Sequence, residues 1–185
     1  MTVPARDPFD AATTGNPRAG GDRARAAEID RISVKLERLA PQRRALRKAM
    51  RQFGADFDVK AWTDAFNSPD PDEINRVFAV TGGYLALINN TIEAIKTGTG
   101  LAGRPPTPGM AGVSGLIDAI RADGGFSDRQ AETFTELCRT RNRLQHSSPD
   151  IQADEVHRQV KLLLRHLPRL IESYLAWLAR RGIKL

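Results

Sequence analysis

Residues 154–180 read DEVHRQVKLLLRHLPRLIESYLAWLAR. In this stretch Val156, Val160, Leu163, Leu164, Leu167, Leu170, Ile171, Tyr174, Leu175 and Leu178 recur at steps of three and four. That is the period of one helix face, not of a strand. A stripe this wide needs partners to cover it, so the stretch predicts a core helix ending near Arg180 and bent at Pro168. Nowhere does the chain alternate convincingly with period two, so no strand is expected. The fold class that follows is all-α: an antiparallel helical bundle of four to five main helices.

Upstream segments repeat the theme. Ile29, Ile32, Leu36, Leu39, Leu46, Met50 and Phe53 mark a first helix from Ala26. Arg43 breaks its apolar stripe, Pro41 predicts a kink or a break, and Gly54 is the expected stop. A short helix within 57–68 is ended by Pro69 and Pro71, with Asp70 or Asp72 placed to cap the next. Ile74, Val77, Phe78, Thr81, Leu85, Ile88, Ile92 and Ile95 then predict a long helix over 72–96. Gly82 and Gly83 in its middle cost helix stability and point to close approach of a neighbour. The run TGTGLAGRPPTPG (97–109) reads as a loop. Val113, Leu116, Ile117 and Ile120 predict a short helix ended by Asp123-Gly124-Gly125. Ser127 and Gln130 form a capping box for a helix that buries Phe134, Leu137 and Cys138. Residues 1–22 lack periodicity and predict a disordered tail, leaving 23–185 as a single helical-bundle domain.

Bulk properties narrow the classes. Hydrophobic residues are 41% and charged residues 27% of the chain, an ordinary globular balance. Cys138 is the only cysteine, so no internal disulfide can form. No apolar run reaches the length of a membrane span and no secretory leader is visible, so a cytoplasmic protein without a membrane partner is expected. The net charge of +6 attracts polyanions, although arginine-rich composition alone produces the same number. His157 and His166 lie off the apolar stripe of the last helix with no ligand at metal spacing, and read as surface residues. Cys138 reads as a small core residue. Phosphate-loop, zinc-protease and convincing dinucleotide motifs are absent, so neither metal nor cofactor is expected.

One segment resists this scheme: RTRNRLQHSSPD (139–150). The stripe of Phe134, Leu137 and Cys138, projected forward, predicts inward positions at Arg141, Asn142 and Gln145. Two readings remain open. Helix C-termini attract cations, which alone would account for Arg139, Arg141, Arg143 and His146. Otherwise the residues line a cleft, because an unpaired buried arginine is expensive.

Arg141-Asn142-Arg143-Leu144-Gln145-His146 fits the pattern R-N-x-x-x-H. With the preceding helix, turn and helix (112–148) and the long helices over 72–96 and 154–180, residues 72–178 resemble the HEPN superfamily, HepT-like proteins in particular. The resemblance implies a metal-independent endoribonuclease, plausible as a toxin or defence and stress protein. It further implies a homodimer with the site between protomers, and a possible nucleotidyltransferase-type antitoxin partner. Arg141 and His146 would be catalytic, with Asn142 supporting. Two features depart from HepT: Ser148 stands where a tyrosine is usual, and the first helix is longer and more basic.

The residue types suit that chemistry on their own terms. RNA is cut when its 2′-hydroxyl attacks the adjacent phosphorus, which needs a base, an acid and cations around the phosphorane. Histidine titrates near neutrality, and a guanidinium fork matches phosphate oxygens. Positions five apart on a helix diverge by about 140°, so one motif per chain is too little, and a two-fold pair would supply the missing groups. Arg44, Arg47, Lys48 and Arg51 make a basic face on the first helix. With Arg139 and Arg143 they are candidate contacts to an RNA backbone, or else a solvated face. The alternative function is a non-catalytic RNA- or protein-binding module.

Overall fold

The computed structural model describes residues 17–104, 112–146 and 150–185. They form α1 (Pro17–Met50), one 3-10 turn (Arg51–Phe53), α2 (Val59–Phe66), α3 (Pro71–Leu101), α4 (Val113–Ala122), α5 (Asp128–Gln145) and α6 (Ala153–Arg180). No strand occurs among the described residues. The fold is the all-α bundle expected, with long α1, α3, α5 and α6 and short α2 and α4.

α1 and α3 run antiparallel. Asn90 of α3 donates to Gln42 of α1, and Arg76, seven residues before Gly83, reaches the Gln52 carbonyl beyond the end of α1. Between these points a Cβ on Gly83 would sit 3.2 Å from the Leu46 side chain. Gly83 thus lets two backbones approach, as expected. Gly82 does not serve that role, because it is exposed with nothing near it.

α5 and α6 form the second antiparallel pair, and α3 lies against both. Tyr84 of α3 donates to the Leu137 carbonyl of α5 at 2.8 Å, and Tyr174 of α6 donates to the Ala94 carbonyl of α3 at 2.7 Å. On α2, the indole of Trp62 donates to the Ala153 carbonyl at 2.7 Å. Each of these three buried aromatics carries a polar tip, and each tip has an acceptor. One continuous apolar core collects residues from all six helices, Trp177 included. Phe53, Phe57 and Trp62 meet edge-to-face at its α1–α2 end.

The helix boundaries follow local chemistry. Asp70 caps α3 with Pro71 in its first turn, and Ser127 and Gln130 cap each other reciprocally at the start of α5. Gly54 takes φ 96° after the 3-10 turn, conformational space that costs glycine little.

Several expectations are corrected. α1 begins at Pro17, not Ala26, and so takes in residues 17–22 of the expected tail; Pro17 fits a first turn, where its missing N–H is no loss. Residues 1–16 of that tail lie outside the described residues. α1 passes Pro41 without a break. α3 does not end at 96 but runs through Thr97-Gly98-Thr99-Gly100 to Leu101. Gly98 is buried there because the Tyr174 hydroxyl fills the space a side chain would need. The Thr99 hydroxyl bonds back to the Ile95 carbonyl. Residues 105–109 of the predicted loop lie outside the described residues. On α3, Ile74 and Phe78 are not core: they are 36% and 66% exposed. Leu175 of α6 is likewise exposed at 36%.

Candidate functional site

The last two turns of α5 carry the residues singled out by sequence. Arg141 is half-buried; its Nε donates to Asn89 Oδ1 at 2.7 Å and a terminal nitrogen donates to Asn142 Oδ1 at 2.8 Å. Two neutral amides therefore hold the guanidinium without cancelling its charge. Among the described residues no carboxylate is within ion-pair distance of it. Its field is felt by the neighbouring Cys138 thiol, which burial pushes up to about 12 and Arg141 opposes.

Asn89 was not anticipated. It comes from α3, so the anchored guanidinium is a two-helix construction. The available signal was Asn89-Asn90, two polar residues in the middle of an apolar helix. Both amides make contacts between helices, Asn89 with Arg141 of α5 and Asn90 with Gln42 of α1.

The projected inward stripe is correct only in part. Arg141 turns inward, but Asn142 and Gln145 are exposed, while Thr140 is buried and Leu144 packs against the core. The buried face thus runs through Leu137, Cys138 and Thr140, with Arg141 and Leu144 half-buried beside it. His146 is the C-cap of α5, with φ −93° and ψ 12°. Its backbone N–H donates to the Asn142 carbonyl at 3.1 Å, and its ring is exposed. Arg141 and His146 thus share the end of α5, with Asn142 touching both, and no hydrogen bond joins the two side chains.

The other cations of the segment are placed differently. Arg143 grips Glu155 of α6 with one nitrogen at 2.5 and 2.6 Å from its two oxygens, and donates to the Asp150 carbonyl at 3.0 Å. It clamps the α5–α6 hairpin, and its charge is compensated. Arg139 points to another side of α5, into a groove that it shares with Asp118, Asp128 and Glu132. The expected basic face of α1 is exposed at Arg44, Arg47, Lys48 and Arg51. Arg43, the exception in the α1 stripe, donates to the Leu164 carbonyl at 3.3 Å. Burial, then Arg47, lowers its pKa, and its buried Nε has no partner among the described residues.

His157 is not the surface residue expected. Its ring stacks on Phe57 at 4.4 Å, and Nε2 lies 2.6 Å from the Phe57 carbonyl. His166 is half-buried, and burial, followed by Arg165, Arg129 and Arg169, lowers its pKa. No group of three or more His, Cys, Asp and Glu side chains suited to a metal occurs among the described residues. Among them, no helix is long and apolar enough to cross a membrane.

No family model matches the chain, and neither curated proteins nor solved structures include a significant match.

Proposed function

We propose that the chain is a metal-independent endoribonuclease of the HEPN type, acting as a homodimer, and a candidate toxin or defence protein with a nucleotidyltransferase-type antitoxin. The observation that carries this reading is the uncompensated Arg141 guanidinium, held between Asn89 and Asn142 near the end of α5, where the His146 ring is exposed. Arg143, two residues on, is by contrast paired with the carboxylates of Glu155 and Asp150.

A face of α3 supports the pairing of two copies. Ile74, Phe78, Gly82, Leu85 and Asn89 follow steps of four, four, three and four, so they share one side of the helix. Ile74, Phe78 and Gly82 are exposed, and Gly82 leaves open space above its backbone. This apolar strip ends at Asn89, the residue that holds Arg141. A second copy covering the strip, with the two-fold axis at its Asn89 end, would bring its own Arg141 and His146 near the first.

In that arrangement one His146 removes the proton of the 2′-hydroxyl, whose oxygen attacks phosphorus. His146 of the second copy gives a proton to the departing 5′-oxygen, and the Arg141 pair faces the phosphorane charge. The products are a 2′,3′-cyclic phosphate and a free 5′-hydroxyl. DNA has no attacking hydroxyl and should survive.

The test is incubation with total RNA in EDTA. Wild type should cut; His146→Ala should not, at an unchanged melting temperature. Phe78→Asp should give monomers by light scattering and lose cutting in parallel. Intact RNA after exposure to stoichiometric wild-type protein would remove the nuclease reading. The second reading, a non-catalytic RNA-binding module, is favoured by the lack of any direct bond between Arg141 and His146.

A further inference from the structure

The outward side of α6 carries a pattern that the nuclease reading does not use. Arg158, Lys161, Arg165 and Arg169 follow steps of three, four and four, and all are exposed. Their backbones span about 16 Å, at roughly 1.5 Å per residue.

Two grooves open along this row. The larger, about 750 Å³, has Arg47 and Arg51 on its α1 side and Arg158, Lys161 and Arg165 on its α6 side. Met50, Phe57, Leu162 and Leu164 give it an apolar lining. A second, about 510 Å³, lies where the start of α5 meets α6, with Arg129, Arg165, His166 and Arg169 around Ser127, Gln130 and Thr133. Arg165 lines both, so the grooves adjoin. Asp56 is the one carboxylate among their lining residues. None of these arginines or Lys161 takes part in an ion pair among the described residues. The pKa of His166 reports the same field, because three guanidiniums disfavour its charged form after burial has done so.

We infer that the two grooves together bind a single strand of nucleic acid through its phosphates. A compact anion would fill one groove and leave the other's cations without a partner. A chain of phosphates can follow the row, and with neighbouring phosphates of an extended strand about 6 Å apart roughly three or four of them fit its length. Guanidinium forks match phosphate oxygens in two-point contacts. The apolar lining offers somewhere for a sugar or a base face to rest. A lipid surface is flat and would touch only the rims. The site shares no residue with the Arg141–His146 pair, so it stands whether or not the chain cuts RNA.

The test is fluorescence anisotropy with a labelled 15-nucleotide 2′-O-methyl RNA, which lacks the attacking hydroxyl, so that binding is read without cleavage. Wild type should bind with a log–log salt slope near −2.5, from roughly three or four phosphates at about 0.7 each. Lys161→Glu with Arg165→Glu should weaken binding at least tenfold and make the slope shallower by about 1.4, the share of two contacts. Arg165→Gln should cost several-fold and carries the test if the double variant does not fold. Arg38→Glu with Lys96→Glu, the same charge change at exposed positions outside the grooves, should alter binding less than twofold. Equal losses from both double variants would overturn the assignment. So would a flat salt dependence, displacement of the strand by millimolar inorganic phosphate, or equal affinity for duplex, poly-glutamate or anionic vesicles.

Discussion

Gly98 and Gly100 lie two residues apart in the last turn of α3 and should answer alanine with opposite signs. At Gly100 an added Cβ meets nothing within 4 Å. Gly100→Ala should therefore stabilise by roughly 0.5–1 kcal/mol, because it removes backbone freedom from the unfolded chain. At Gly98 the new atom runs into the Tyr174 hydroxyl and sits 3.0 Å from Leu178 Cδ2. Relief requires the Tyr174 ring to shift, which breaks its 2.7 Å bond to the Ala94 carbonyl. Overpacking costs about 1–3 kcal/mol, and a buried polar group left unpaired costs about the same again. Against this stands the helix preference of alanine, about 1 kcal/mol. The balance is a loss of roughly 3 kcal/mol, or about 6–12 °C in melting temperature for a chain of this size. Thermal melts by circular dichroism, with urea titrations in the same buffer, read both variants. A neutral or stabilised Gly98→Ala would refute the claim that this glycine exists for the tyrosine.

Burial pushes the Cys138 thiol up to about 12, so a thiol reagent at pH 8 should label native protein only as fast as it unfolds; prompt labelling would show the site is open. Tyr84 and Tyr174 have raised pKa values, burial being the first cause of each. Folding thus favours their neutral forms, so that stability is full below the ordinary tyrosine pKa of about 10 and falls as pH rises beyond it. Urea midpoints measured from pH 8 to 11 should decline over the upper part, and Tyr84→Phe with Tyr174→Phe should flatten that decline while lowering stability at pH 8. Ser127→Ala removes one half of the α5 capping box and should cost about 1 kcal/mol in the same titration; no loss would mean the cap is not needed.

The strongly periodic parts of the fold were legible. The α6 stripe, the cap of α3 (Asp70, of the two aspartates the sequence offered) and the Ser127–Gln130 box depend on neighbours within a turn or two, and residue identity there dictates geometry. Errors arose where a distant partner decides. Thr97-Gly98-Thr99-Gly100 has the composition of a loop, yet Tyr174, far along the chain, makes helix with a glycine the better solution. Phe78 looked like core because its spacing is that of core, but no element among the described residues covers it. At the candidate site, Arg141, Asn142 and His146 could be found from one short motif. Asn89 could not be assigned a role, because the order of helices in space, not the spacing of residues, brings it to Arg141. The charge compensation of Arg143 was hidden for the same reason: Glu155 belongs to the next helix.

The tyrosine hydroxyls have a consequence for how this molecule can move. Tyr84 meets the backbone of α5 at Leu137, one helical turn before Arg141, and Tyr174 meets α3 at Ala94, five residues beyond Asn89. These side chains act as pins driven across neighbouring rods. A slide of α5 along α3 by even one residue, about 1.5 Å, would pull the phenol from its acceptor in a place that water cannot reach. Rearrangement by shear is thereby penalised, and motion is left to the helix ends and their connections. The lengthwise position of the Arg141 guanidinium is set during folding, before any ligand arrives.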